Sequence, residues 1–192
     1  MMTRKIGWLL AVLLVPAWTG TAAAQNDLKE RMAAARAAAA DFGQTLLGTL
    51  QQAIAAGGPA NAVGVCNLSA PVIAATKSTD RRMTIARTSL KLRQPDNAPD
   101  EWETRQLQSF EQRKAAGENP AGIEVGEYVE SGGKTLFRYM KAIPTGEVCL
   151  NCHGSALAPE VTAKLKELYP ADAATGFKLG DLRGAFTITQ PQ

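Results

Sequence analysis

The chain has 192 residues, 45% of them hydrophobic, and its 21 Lys and Arg residues against 18 Asp and Glu residues give a formal net charge of +3. This length and composition suit a single globular domain with one core. Basic and acidic residues are interspersed without a basic stripe, which argues against a nucleic acid as partner.

Residues Met1–Ala24 have the pattern of a secretory signal peptide. A basic start precedes a short apolar run, and Ala22-Ala23-Ala24 offers an A-x-A cleavage site. We therefore expect a periplasmic protein that begins at Gln25, with residues 25–192 forming one domain. The apolar run is too short for a comfortable membrane span, so we expect none in the mature form. An uncleaved anchor is the alternative.

The mature chain begins with a long predicted helix. Asp27 and Glu30 have the spacing of a capping box, and Gly57-Gly58-Pro59 is expected to end the helix near Ala56. Apolar residues at steps of three and four define one buried face, which suits either a core or a homodimer contact. This stripe consists of Leu28, Met32, Ala35, Ala39, Phe42, Leu46, Leu50 and Ile54.

A second helix is predicted over Asn61–Ser78. It places Cys66 on one face with Ala70 and contains Pro71, which removes a backbone hydrogen bond to the Asn67 carbonyl. We expect the helix to bend beside Cys66, as a ligand site would require. A small buried cysteine on a helix face is the simpler interpretation.

The rest of the chain alternates predicted strands and helices. A helix that starts at Pro99 or Asp100 should bury Trp102, Leu107 and Phe110. The remaining predicted elements are a strand within 82–92, a hairpin of 123–130 and 135–143, a helix over 159–169 and a last strand over 182–189.

Between the hairpin and the next helix lies Cys149-Leu150-Asn151-Cys152-His153, a C-x-x-C-H motif. This is the attachment signature of c-type haem. Two thiols at this spacing can add to the two vinyl groups of one haem, and the adjacent imidazole can then bind the iron. The sequence therefore predicts one covalently attached haem c, with Cys149 and Cys152 as thioethers and His153 as an iron ligand.

Three other interpretations compete with haem. A redox-active C-x-x-C pair needs no following histidine and expects a βαβ pattern that the sequence lacks. A structural zinc site has enough ligands in three cysteines and one histidine, but neighbouring side chains such as Cys152 and His153 seldom converge on one ion. The last alternative is a structural disulfide with a bystander histidine.

His153 is the only histidine, so a second histidine ligand from the same chain is excluded. Cys66 is the only cysteine outside the motif, and an odd cysteine in an exported protein suggests a special role. Cys66 is therefore a candidate second ligand. Met83, Met140 and a vacant or water-filled position compete with it.

Three basic residues, Arg87, Lys91 and Arg93, form a local group between the first predicted strand and a proline-rich loop. Haem carries two propionates, which makes these residues candidate partners. A solvated surface cluster is the alternative.

Three segments together resemble a known family. They are Cys66-Asn67-Leu68-Ser69-Ala70-Pro71, the run Arg87–Asn97 with Pro99–Glu103, and Cys149–Gly154. They are similar to exported c-type haem proteins with a PAS-like fold, long catalogued as a domain of unknown function and known from cyanobacteria. The resemblance implies an α+β fold with a central antiparallel sheet flanked by helices. It also implies iron held by His153 and Cys66.

The first functional hypothesis is a redox or small-ligand sensor. A thiolate ligand favours ferric iron, and loss of Cys66 on reduction would move its helix. In this family the domain is often joined to signalling modules, for which 192 residues leave no room, so a separate signalling or redox protein is the expected partner. The alternative is a plain electron carrier. Peroxidase-like or other enzyme activity is not expected, because no second histidine is present to serve as acid or base.

Overall fold

The computed structural model describes residues 20–191. Four helices and four strands are present in that range, together with 3-10 turns at Pro95–Asn97, Pro120–Gly122 and Glu147–Cys149. In chain order the elements are α1 (Gly20–Arg81), β1 (Thr84–Thr88), α2 (Glu101–Ala115), β2 (Glu124–Ser131), β3 (Lys134–Pro144), α3 (Leu150–His153), α4 (Pro159–Leu168) and β4 (Leu182–Pro191).

The strands form one antiparallel sheet in the order β1-β4-β3-β2. The last strand in sequence therefore lies inside the sheet, paired on one side with β1 and on the other with β3. The predicted hairpin is confirmed as β2 and β3, joined by a turn whose Gly132 and Gly133 have φ of 58° and 74°. Only glycine enters that region without strain.

The predicted fold class is confirmed, because a central antiparallel sheet is flanked by helices and preceded by a long N-terminal helix. The first part of α1 packs on one sheet face, where Ala35, Ala39 and Phe42 are almost fully buried. On the other face, α2 buries Trp102, Leu107 and Phe110, as predicted. Asp100 caps α2 through a complete capping box with Glu103.

The N-terminal helix differs from the prediction at its start. It begins at Gly20, so Asp27 lies inside the helix and bonds Arg31 at 3.1 Å instead of capping the first turn. The alanine-rich sequence upstream favours continued helix over the local capping preference. The predicted signal segment up to residue 19 lies outside the described residues.

A bend divides α1 into a first arm (20–56) and a second arm (59–81). Gly57 and Gly58 leave the helical region, and Gly58 has a φ of 77°. The Asn61 side chain bridges the bend by donating to the Ala53 carbonyl at 2.9 Å. The predicted break after Ala56 is confirmed, because the non-helical dihedrals inside α1 occur at the two glycines. Pro71 lies inside the second arm, where the backbone keeps helical dihedrals, and the bend predicted there stays a prediction.

Two ion pairs join the arms of α1. Asp41 in the first arm contacts Lys77 at 2.7 Å and Arg81 at 2.8 Å in the second arm. These bonds hold the pKa of Asp41 below its ordinary value. No helix described within residues 20–191 combines the length and apolar character needed to span a membrane.

Candidate haem site

The C-x-x-C-H motif follows β3 directly and forms a compact helical turn. Cys149 ends a 3-10 turn, and Leu150–His153 is the short helix α3. Gly154 closes α3 by donating its N–H to the Leu150 carbonyl at 3.0 Å. A Cβ at Gly154 would lie only 2.7 Å from that carbonyl oxygen, so the close return of the chain requires glycine.

The second arm of α1 packs against this turn. Cys152 is buried in a small cluster with Val63, Val161 and Leu165, which joins α1, α3 and α4. Cys66 lies three residues after Val63, one helical turn further along the arm. The charge of Cys66 acts on Cys152, whose pKa is raised first by burial and further by the neighbouring thiols. The fold therefore places the arm that carries Cys66 beside the motif, and the role of Cys66 as an iron ligand stays a prediction.

His153 is held in a defined orientation. Its Nδ1 lies 2.7 Å from the Ala174 carbonyl oxygen, which can only accept, so Nδ1 carries the hydrogen and Nε2 keeps its lone pair. Phe177 packs edge-on at 6.2 Å between ring centroids. Burial, together with the charges of Arg183 and Arg93, lowers the pKa of His153 to about 2. The imidazole is neutral, which is the form that binds a metal ion.

Arg183 is a site residue that sequence reasoning missed. It lies on β4 and places its Nε 3.2 Å from Nδ1 and 3.4 Å from Nε2 of His153. These near-equal distances place the guanidinium against the imidazole, between the two ring nitrogens, and not in line with the outward lone pair of Nε2. Burial and the like charges of Arg93 and Arg87 lower the pKa of Arg183 to about 10. The available signal was a lone arginine at the start of the otherwise apolar last strand.

The Arg93 side chain holds the motif in place through hydrogen bonds and an ion pair. It donates to the Cys152 carbonyl at 2.6 Å and to the Ala174 carbonyl at 3.3 Å. It also pairs with Asp172 at 3.0 Å, and the two side chains are only 13% and 9% exposed. Asp172 accepts in turn from the Ala174 N–H at 2.8 Å. Arg93 and Asp172 thus fix the carbonyl that orients His153.

Arg87 and Lys91 lie near the same site, but their side chains form fewer bonds to it than Arg93 does. Arg87 is half-buried on β1, and its guanidinium stands 5.9 Å over the Phe42 ring. The Arg87 side chain makes no hydrogen bond or ion pair with residues 23 to 191. Burial lowers its pKa, while the nearby Cys66 raises it. Lys91 is exposed and stands 5.1 Å over Phe177. The three predicted basic residues therefore share a region but not a role.

The candidate methionine ligands are placed less favourably than Cys66. Met140 is fully buried in the core on the α2 side of the sheet, whereas Cys66 lies on α1. Met83 packs at the edge of the core on the other face. Cys66 lies on the arm that packs against the motif, and its pKa is raised by burial and lowered less by Arg87 and Arg93.

The competing interpretations of the motif find no matching arrangement in the described part of the chain. Cys66, Cys149 and Cys152 are all free thiols, so the disulfide is not formed. Across residues 20–191, no three His, Cys, Asp or Glu side chains converge as a metal-binding group, so the Cys₃His zinc site is not formed either.

The residues present fit a haem. Two adjacent thiols, a neutral imidazole and a third thiol on a facing helix are the donors that a covalently attached haem uses. Arg87, Arg93 and Arg183 are close enough for their charges to act on one another, and Asp172 is the acidic residue that pairs with one of them. This excess of positive charge suits a ligand with two carboxylates.

The fold and the site together define an α+β protein that places a C-x-x-C-H motif against a separate cysteine. The chain belongs to the Tll0287-like family, whose model, described as Tll0287-like: Tll0287, matches residues 19–191. Its structure is similar to the crystal structure of the cyanobacterial heme-protein Tll0287, with a TM-score of 0.65 and 24% sequence identity. The match covers 85% of this chain and 96% of that chain, and it establishes the shared fold. A comparison with curated proteins found no match.

Proposed function

We propose that the protein is a periplasmic mono-haem c-type cytochrome that acts as a redox or small-ligand sensor, with His153 and Cys66 as the iron ligands. The observation that carries this proposal is the buried, neutral His153, oriented through Nδ1 and lying directly after two free thiols. Membership of a family that includes a cyanobacterial heme-protein supports the same cofactor.

Each motif cysteine would be attached by addition of its S–H across one vinyl group. The C–S bond forms, the vinyl double bond is lost, and the thiol hydrogen ends on carbon, so no outside oxidant is consumed. Haem bound in this way supplies a redox-active iron. His153 binds through Nε2, while Ala174 keeps Nδ1 protonated and fixes the ring.

The sensing proposal rests on the second arm of α1, which carries Cys66. A thiolate ligand stabilises ferric iron, so reduction weakens its bond and favours release of Cys66. The bend at Gly57 and Gly58 gives this arm a pivot, and the ion pairs of Asp41 anchor its far end. Release of Cys66 would therefore shift a defined segment between two fixed points.

A plain electron carrier is the second candidate. The packing of Val63 against Cys152, Val161 and Leu165, on the same arm as Cys66, favours it, because this cluster resists movement of the arm. A haem whose ligands stay in place transfers electrons with little structural change. The two candidates differ in whether Cys66 remains bound after reduction.

The test is the visible absorption spectrum of the purified protein, oxidised and reduced, for wild type, Cys66→Ser and the matched control Met83→Leu. We expect a haem band that survives denaturation in all three, and an altered ferric spectrum in Cys66→Ser only. A wild-type protein without a covalently held haem band would overturn the cofactor. An unchanged Cys66→Ser spectrum would overturn the ligand, and reduced spectra that keep the thiolate signature would favour the electron carrier.

A further inference from the structure

Arg183 contacts the proposed iron ligand without covering its lone pair. Its Nε lies 3.2 Å from Nδ1 and 3.4 Å from Nε2 of His153, which places the guanidinium against the imidazole, between the two ring nitrogens. Nδ1 is bonded to Ala174, and the lone pair of Nε2 points away from the ring. The Arg183 guanidinium would therefore lie beside a haem bound through His153.

The Arg183 guanidinium has few other partners. Its other hydrogen bond in the described chain is to the Lys91 carbonyl at 3.2 Å, and it forms no ion pair with an acidic residue of that part of the chain. It also faces the like charges of Arg93 and Arg87. A half-buried arginine among other arginines needs an anion to offset their repulsion.

The neighbouring arginines are not equivalent. The bonding capacity of Arg93 is already taken up, because it pairs with Asp172 and donates hydrogen bonds to two backbone carbonyls. Arg87 resembles Arg183 in that its guanidinium forms no ion pair with the described chain, and it is half-buried on the adjacent strand. The site thus holds two guanidinium groups without an ion-pair partner in the described chain, and haem carries two propionates.

We propose that Arg183 and Arg87 bind the haem propionates. This inference rests on the proposed cofactor. It assigns Arg93 to positioning the motif and leaves exposed Lys91 outside the primary contacts. Each guanidinium would donate paired hydrogen bonds to a carboxylate, the geometry that arginine favours.

The experiment compares purified holoprotein of wild type, Arg183→Gln, Arg183→Lys, Arg87→Gln and the matched control Arg105→Gln. Arg105 is an exposed residue of α2, so its substitution removes the same charge away from the site. The readouts are the haem midpoint potential and the propionate bending band in resonance Raman spectra, recorded in H₂O and D₂O.

We expect Arg183→Gln and Arg87→Gln to lower the midpoint potential below that of Arg105→Gln, since removing a nearby positive charge favours ferric iron. The propionate band should shift in both, and Arg183→Lys should restore the potential. Site variants that match Arg105→Gln in both readouts would overturn the inference while leaving the haem assignment intact. If Arg183→Gln yields no folded protein, a wild-type propionate band that does not move in D₂O overturns it equally.

Discussion

The pair formed by Arg93 and Asp172 allows a direct test of how the motif is held. Replacement of Asp172 by asparagine keeps the shape and the oxygen that accepts from the Ala174 N–H, but removes the charge that neutralises Arg93. The two side chains are 13% and 9% exposed, so water cannot replace the lost partner. Breaking a buried pair by removing one partner costs about 3–5 kcal/mol.

The residual exposure places Asp172→Asn at the lower end of that range, about 3 kcal/mol. For a domain of this size each kcal/mol lowers Tm by about 2–4 °C, so we expect a loss of about 6–12 °C. This is a large part of a typical stability of about 5–15 kcal/mol, yet it leaves the protein folded at room temperature.

The assay is urea and thermal unfolding followed by far-ultraviolet circular dichroism. Asp41→Asn is the matched control, because it removes the same charge from a carboxylate with two cationic partners that is 35% exposed. We expect its effect to be much smaller, since exposed pairs are screened by solvent. Equal losses in the two variants would refute the argument that burial makes the Arg93 pair important.

Two further predictions concern the core and acid stability. Phe42→Ala truncates a side chain that is 1% exposed and should lower the free energy of unfolding by about 3–5 kcal/mol. Leu68→Ala, at a residue that is 74% exposed, should change it by less than about 0.5 kcal/mol. Similar urea midpoints for the two variants would contradict this prediction. Burial alone would raise the pKa of Glu124, but hydrogen bonds from Arg36 and Tyr139 outweigh it and hold the pKa below its ordinary 4.5. The contribution of Glu124 to the free energy of unfolding is therefore complete above about pH 4.5 and is lost as pH falls through the lower folded-state pKa. The difference in unfolding free energy between wild type and Glu124→Gln should shrink on acidification. A difference that stays constant from pH 7 to pH 3 would refute this argument.

Local pattern was sufficient for much of the fold. The spacing of Trp102, Leu107 and Phe110 identified the buried face of α2, and Pro99 with Asp100 marked its start. The glycine pair at 132–133 marked the hairpin. Each of these features depends on residues within a few positions of one another, where steric and hydrogen-bonding rules act without the rest of the chain.

The features that were missed depend on competition or on distant contacts. Two local rules conflicted at Asp27, and the helix-forming alanine sequence upstream prevailed over capping. The break at Gly57 and Gly58 was predicted as the end of one helix, and the φ of Gly58 makes it a bend from which the chain continues as the second arm. Arg183 meets His153 only because β4 passes the end of α3, and alternation along a strand cannot reveal that contact.

The position of β4 in the sheet sets an order of assembly. Thr84 of β1 pairs with Thr189, so the first strand made has no partner until the last ten residues of the described chain are available. The hairpin of β2 and β3 can form early, but closure of the sheet waits for contacts between distant parts of the sequence, which slow folding. The turn that carries Cys149 and Cys152 precedes β4 in the chain, and Arg183 arrives with that strand. The thiols are therefore made before the strand that finally encloses His153, which leaves an interval in which a cofactor can reach them.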